Sequence, residues 1–76
     1  MHKTLLSIQS KEYSISLIED NDGIDGYIVF TRVIGNYDLD DVDYYNQLST
    51  AKMRFVYLAN CLMTSGNLPN IQISNN

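Results

Sequence analysis

The sequence predicts an α+β fold, in which a small antiparallel sheet of three to four strands carries one long helix on one face. Three observations predict it. Alternating apolar residues open the chain, a dense turn signal separates them from an apolar β-branched run, and the apolar spacing then changes from two to three and four. With 76 residues, of which 45% are hydrophobic and 18% charged, we expect a single small globular domain over residues 1–76.

The first half of the chain predicts three strands. TLLSIQS (4–10) alternates weakly and YSISLIE (13–19) alternates cleanly, so we expect a hairpin that turns at Lys11 and Glu12 or over a slightly longer loop. The stretch EDNDGIDG then gives a strong turn signal. YIVFTRVIG (27–35) follows, and its almost continuous apolar character predicts a central strand that is covered on most of both faces.

The second half predicts a helix over residues 39–64. Its apolar residues step by four, three, four, three and four, as one helical stripe does: Tyr44, Leu48, Ala51, Phe55, Leu58 and Leu62. Asp38 is expected to cap the first turn, where the helix dipole also favours the negative charges of Asp40 and Asp41. Ser65-Gly66, followed by a proline, is expected to end the helix.

This helix is expected to carry more apolar surface than one sheet face can cover. A helix of ~24 residues is ~36 Å long, whereas a seven-residue strand spans only ~23 Å. A second apolar stripe, formed by Val56, Ala59 and Met63, therefore needs a cover of its own. The candidates are a short C-terminal strand at NIQIS (70–74) and a second copy of the protein, which makes this stripe the candidate homodimer interface.

The acidic residues are concentrated in the middle of the chain. The net charge is −4, and eight of the nine acids lie between Glu19 and Asp43, where Arg32 is the only basic residue. Without a basic stripe, direct binding to nucleic acid is disfavoured. An acidic surface would instead favour a basic partner, although turn and helix-start chemistry accounts for much of the same cluster.

Residues suited to catalysis or metal binding are scarce. His2 is the only histidine and lies at the terminus, and the single cysteine, Cys61, has no base near it in sequence. Loops that start at Asp20 or Asp38 lack the fifth-position oxygen ligand and the sixth-position glycine of an EF-hand. We therefore expect a non-enzymatic protein with no catalytic residues, no metal and no cofactor.

Two further features bear on location. A lone cysteine is typical of a reducing compartment such as the cytoplasm. The longest apolar segment, FVYLANCLM, is far shorter than the ~20 residues of a membrane span, so we expect no membrane contact.

The acidic cluster and its neighbouring tyrosines resemble, at the level of class, the small acidic inhibitors that bacteriophages and mobile elements use against host defence, such as anti-CRISPR proteins. Two acidic segments, 19–25 and 38–43, carry the resemblance together with the adjacent Tyr37, Tyr44 and Tyr45. It implies a cytoplasmic protein of a bacterial host cell whose carboxylates stand in for phosphates on a basic, nucleic-acid-handling partner. The partner-binding residues that it implies are Asp20, Asp22, Asp25, Tyr37, Asp40, Asp41, Asp43 and Tyr45.

Two other functions stay open on the sequence alone. One is a homodimeric structural or assembly protein that pairs through its second helical stripe. The other is an antitoxin or immunity protein that plugs a basic nuclease. Binding by an acidic patch weakens as salt rises, whereas a hydrophobic dimer does not, so salt dependence separates these classes.

Overall fold

The computed structural model describes residues 2–22 and 26–71. These residues form strands β1 (His2–Gln9), β2 (Tyr13–Asp20), β3 (Tyr27–Val33) and β4 (Asp41–Tyr45), a 3-10 turn at Tyr37–Leu39, and one helix, α1 (Leu48–Ser65). All neighbouring strands pair antiparallel in the order β1-β2-β3-β4. The α+β class, with one helix packed on an antiparallel sheet, is therefore confirmed.

The first hairpin turns on a serine. β1 ends at Gln9 and β2 begins at Tyr13, so the loop has three residues. The backbone N–H of Ser10 donates to the carbonyl of Tyr13 at 2.8 Å, and the Ser10 hydroxyl accepts from the N–H groups of Glu12 and Tyr13 at 3.3 and 3.0 Å. The hydroxyl supplies the turn chemistry that Lys11 and Glu12 lack, which explains why the loop is longer than two residues.

The predicted start of the helix is wrong. Residues 41–45 form edge strand β4, which pairs with β3 from Tyr27↔Tyr45 to Thr31↔Asp41, and α1 begins only at Leu48. Asp38 lies within the 3-10 turn, and the residue that precedes α1, Gln47, makes no side-chain cap hydrogen bond. DVDYY also alternates with period two, and backbone pairing with β3 decides between the two patterns in favour of the strand.

The helix length is corrected in the same way. With 18 residues, α1 is about 27 Å long, close to the ~23–27 Å of the seven- and eight-residue strands below it, so it does not overhang the sheet. Its predicted end is confirmed: Gly66 takes a left-handed φ of 75°, and its N–H donates to the Leu62 carbonyl at 3.0 Å. Asn70 and Ile71 are not in a strand, and the rest of the proposed strand at 70–74 lies outside the described residues.

The core lies between α1 and the sheet face beneath it, here called the inner face. The buried helix stripe agrees with the predicted one at four positions, Ala51, Phe55, Leu58 and Leu62, whereas Leu48 and Tyr44 are exposed. The sheet contributes six buried side chains from β2 and β3, and the segment after α1 adds two more: Tyr13, Ile15, Leu17, Val29, Thr31, Val33, Leu68 and Ile71. Within the described part of the chain, no helix is long and apolar enough to cross a membrane.

Candidate protein-docking face

The face of the sheet that points away from α1, the outer face, carries an apolar patch. In the register, Ile28 lies opposite Ile18 on β2 and opposite Tyr44 on β4, and Phe30 lies opposite Val42. Residues directly opposite each other in an antiparallel pair share a face, so these five side chains adjoin one another across three strands. We call Ile18, Ile28, Phe30, Val42 and Tyr44 the outer patch.

The outer patch is partly open to solvent. Tyr44 is 61% exposed and Val42 is also exposed, while the other three side chains are half-buried. Among the described residues, α1 is the helix packed on the sheet, and its buried stripe meets the inner face. The sequence predicts that β3 is covered on most of both faces. In the described residues, α1 covers only its inner face.

The other half of the outer face is polar, as is usual for a solvated antiparallel sheet. There β1 and β2 present Ser7 and Ser16 side by side, with their hydroxyl oxygens 3.4 Å apart, and Gln9 lies opposite Ser14. The outer patch therefore departs from the polar pattern of the other half of its own face.

Arg32 lies at one end of the outer patch and contacts Phe30. The Arg32 Nε donates to the Asp40 Oδ2 at 3.2 Å, and the guanidinium lies over the rings of Tyr37 and Phe30, 4.5 and 5.1 Å from their centroids. This stacking holds Tyr37, which is 62% exposed, beside the patch. Tyr37, predicted as a partner-binding anchor, is thus exposed and lies next to the outer patch.

The predicted acidic residues in β4 and directly before it do not share one surface. Asp41 and Asp43 lie on the inner side of the sheet, opposite Thr31 and Val29, whereas Asp40 pairs with Arg32 on the outer side. The Asp41 Oδ2 accepts from the Asn70 Nδ2 at 2.9 Å. Each of these carboxylates is therefore already bonded within the chain.

The inner side of β4 also carries an ion pair and a tyrosine. The Asp43 Oδ2 lies 3.5 Å from the Arg54 Nε on α1. Tyr45, a predicted anchor, lies opposite Tyr27 and packs against the core. Burial raises the pKa of the Tyr45 hydroxyl, and the nearby Asp43 carboxylate raises it further. Tyr45 is therefore half-buried at the edge of the core.

Asp20, the last residue of β2, stands at the other end of the outer patch. Asp20 lies opposite His2, with Asp20 Oδ1 3.8 Å from His2 Nδ1, and the same oxygen accepts from the backbone N–H of Asp22 at 3.1 Å. Asp25 lies outside the described residues. Six residues along β2, or about 20 Å, separate Asp20 from Ser14, which lies opposite Arg32. Because Arg32 bonds to Asp40, acids stand at both ends of the patch.

The candidate dimer residues are only partly on one surface. Val56 and Met63 are exposed, on the side of α1 away from the sheet, but Ala59 packs partly against the core. Met53 and Tyr57, which the sequence interpretation missed, are exposed beside Val56. A three-four step counted from Met53 would have found the stripe.

Within residues 2–22 and 26–71, no group of three or more His, Cys, Asp or Glu side chains is placed to hold a metal ion. No protein-family model, curated protein or solved structure matches the chain, so its own geometry is the basis for a function.

Proposed function

We propose that this is a non-enzymatic protein that acts by binding a partner protein through the outer patch and Tyr37. The observation that carries this proposal is five apolar side chains on three adjoining strands, on a sheet face that the described helix leaves open. Aromatic residues are enriched at the centres of protein interfaces, and here the rings of Phe30, Tyr44 and Tyr37 lie in or beside the patch.

The charges around the patch favour a basic partner. Asp20 stands at one end and Asp40 at the other, with the exposed Asp22 and Asp38 each two residues from them along the chain, whereas the one arginine there is engaged by Asp40. A negative rim around an apolar centre complements a positive rim around an apolar contact, and it speeds association with such a partner. Proteins that handle nucleic acid carry basic surfaces of this kind, so they are the partner class that we propose.

The proposed mechanism is steric cover rather than phosphate mimicry. Asp40, Asp41 and Asp43 already bond to Arg32, Asn70 and Arg54, so releasing them to imitate a phosphate backbone would cost those contacts. In an inhibitor of the anti-CRISPR type, the patch would bind beside the partner's nucleic-acid site and the acidic ends would steer it there. The basic nuclease of an antitoxin or immunity pair would be bound in the same way.

A matched pair of variants tests this proposal. Val42→Asp adds one negative charge to the outer face within the patch, and Gln9→Asp adds the same charge to the polar half, on the opposite edge strand. A basic partner tolerates added negative charge, so the charge alone should not weaken binding. Val42→Asp should weaken binding because it also removes an apolar contact from the outer patch, whereas Gln9→Asp should not. The immobilised full-length chain would retrieve partners from a bacterial lysate at low and high salt, and the retrieved proteins would be purified and titrated calorimetrically.

Three results together would support the proposal. The retrieved protein binds nucleic acid, its affinity falls at least tenfold with Val42→Asp but not with Gln9→Asp, and the parent chain competes with nucleic acid for it. Equal binding by both variants would overturn the proposed surface, and so would an absence of retrieved protein at both salt concentrations. A nuclease among the retrieved proteins would identify the immunity-type function, and a defence complex would identify the anti-CRISPR type.

A further inference from the structure

Helix α1 carries a second stripe on the side that faces away from the sheet. Its members step by four, three, four and three, and they are here called the far stripe: Ser49, Met53, Val56, Asn60 and Met63. Met53 and Met63 are 73% and 72% exposed, and Val56 and the adjacent Tyr57 are about half exposed. At 100° per residue these positions lie opposite the buried stripe that contains Phe55 and Leu58.

We propose that a second copy of this chain covers the far stripe, by antiparallel pairing of the two α1 helices about a twofold axis near Val56 and Tyr57. An alternating four-three step is the spacing with which one helix packs along another. The residues that the structure describes contain one helix, which already uses its other side on the sheet. In a dimer with a twofold axis, the same surface of each copy contacts its equivalent on the other, so one helix per chain is enough to form the pair.

The charges on α1 select the antiparallel arrangement. The helix contains Lys52 and Arg54 but no acid, and it has neither an acidic residue in its first turn nor a basic residue in its last. Its dipole is therefore not compensated by its own side chains. Arg54 is engaged by Asp43, which leaves Lys52 as the cation beside the far stripe.

In antiparallel pairing, Lys52 of one copy stands level with Cys61 of the other, near the carbonyl groups of that helix's last turn. This is the helix end at which a cation is stabilising. The two Lys52 side chains are then nine residues apart along the axis, about 13 Å. Parallel pairing would instead place Lys52 beside Lys52 and align the two helix dipoles.

The same pairing gives an apolar centre with polar ends. Val56 of each copy meets Val56 and Tyr57 of the other, Met53 meets Asn60, and Ser49 lies level with Thr64. One helix pair is a small interface, below the roughly 1,200 Å² typical of stable complexes, so we expect a dissociation constant on the order of tens of micromolar.

This dimer would have four layers, sheet, helix, helix and sheet, with the two outer patches facing in opposite directions. If the proposed function holds, the dimer is bivalent and one dimer engages two partner molecules. That consequence depends on the proposed function, whereas the dimer itself does not, since it uses a different face of the molecule.

Sedimentation measurements on the full-length chain, from about 1 to 300 µM, test the association over the range expected for a weak interface. The parent should move from 8.7 kDa towards twice that mass as concentration rises. Val56→Glu should stay monomeric throughout, while Gln9→Glu, an equal charge at an exposed position of β1 away from α1, should associate as the parent does. Circular dichroism would confirm that both variants keep their helix.

Cross-linking tests the direction of the pair. In a Cys61→Ser background, a Met53→Cys chain and an Asn60→Cys chain should form a mixed disulfide dimer when combined, and neither should cross-link efficiently with itself. Preferential like-with-like cross-links would overturn the antiparallel arrangement.

Other outcomes would overturn the dimer. A monomer at every concentration would do so, as would association that Val56→Glu leaves unchanged. The result for Val42→Asp keeps the two proposals apart: a dimer that this variant preserves can stand even if the outer patch binds nothing. A dimer that Val42→Asp breaks and Val56→Glu does not would mean that the outer patch is itself the dimer interface, and both proposals would fail.

Discussion

The two faces of the sheet use apolar residues differently. On the inner face, the side chains of β2 and β3 are sealed by α1 and by Leu68 and Ile71. On the outer face, β1 and most of β2 present polar side chains, whereas Ile18 of β2 joins residues of β3 and β4 in the partly open outer patch. The inner face therefore carries most of the stability of the fold, and the apolar residues of the outer face are those most readily explained by a partner.

The difference is sharpest along β3. Val29 and Val33 point to the inner face and are buried, while Ile28 and Phe30, which alternate with them, point to the outer face and are half-buried. A strand of an antiparallel sheet with one face in solvent usually alternates apolar with polar residues. β3 instead carries apolar residues on both sides, as the proposed contact surface on the outer face requires.

The largest effect should come from the middle of the inner face. Leu58→Ala removes a side chain with no exposed surface from the helix-sheet contact, and it should lower the free energy of unfolding by about 2–5 kcal/mol. Val56→Ala, two residues away on the far stripe, should change it by about 0.5 kcal/mol or less in the monomer. Urea denaturation at low micromolar concentration measures both, and equal losses would contradict the division of α1 into a buried and an open side.

A smaller, chemically identical change compares the two faces directly. Ile15→Val deletes one methylene from a fully buried inner-face residue and should cost about 0.5–1.5 kcal/mol. Ile28→Val deletes the same group from the half-buried outer patch and should cost less, about 0.5 kcal/mol or below. A cost for Ile28→Val as large as that for Ile15→Val would show that the outer patch is part of the core and is covered in solution.

The parts of the fold that the sequence predicts correctly are those with a clear helical or alternating pattern of apolar residues. Tyr13, Ile15 and Leu17 alternate with serines, and Ala51, Phe55, Leu58 and Leu62 form a three-four stripe; both patterns led to the right element on the right face. The Ser65-Gly66 stop was also predicted correctly, because a left-handed C-terminal glycine is a local requirement of the backbone.

The structure of segment 38–47 could not be predicted from the spacing of its apolar residues. Its strand turns Asp41 and Asp43 towards the helix side and Val42 and Tyr44 towards the open side, the reverse of the usual alternation. The inward aspartates are tolerated because Asn70, 29 residues away, and Arg54 reach them. Those partners come from tertiary structure, so periodicity over a ten-residue window favoured a helix with dipole-stabilising acids instead.

The candidate site was missed for a related reason. The outer patch gathers residues from β2, β3 and β4, and its members come together only once the strand order and register are known. Sequence clustering pointed to the aspartates, which are adjacent along the chain but divide between the two faces. Among the described residues of the predicted site, Tyr37, Asp20 and Asp40 are the ones whose side chains the contacts place on the outer face.

A still smaller effect distinguishes the two arginine–aspartate pairs. The outer pair, Arg32–Asp40, has the more buried carboxylate and a shorter contact than the inner pair, Arg54–Asp43, at 3.2 against 3.5 Å. Both arginines remain partly exposed, so double-mutant cycles with Asp→Asn and Arg→Gln should give couplings of about 0.2–1 kcal/mol, the larger for the outer pair. A larger coupling for the inner pair would mean that α1 shields it more than the geometry indicates.

The smallest effect concerns Tyr45, at the edge of the inner face. Burial, and secondarily Asp43, raise the pKa of its hydroxyl above the ordinary value of about 10, so the fold favours the neutral phenol. The stability that this provides is fully present below the pKa of the unfolded chain and is lost as pH rises through the higher folded pKa. The unfolding free energy of the parent should therefore fall, relative to that of Tyr45→Phe, as pH increases above about 10. Asp43→Asn should reduce the fall without removing it, because burial is the larger cause. Denaturation series at intervals from neutral to strongly alkaline pH measure the difference in unfolding free energy between the parent and Tyr45→Phe. A difference that does not change with pH would mean that the Tyr45 hydroxyl is exposed to solvent, as the exposed rings of the outer face are.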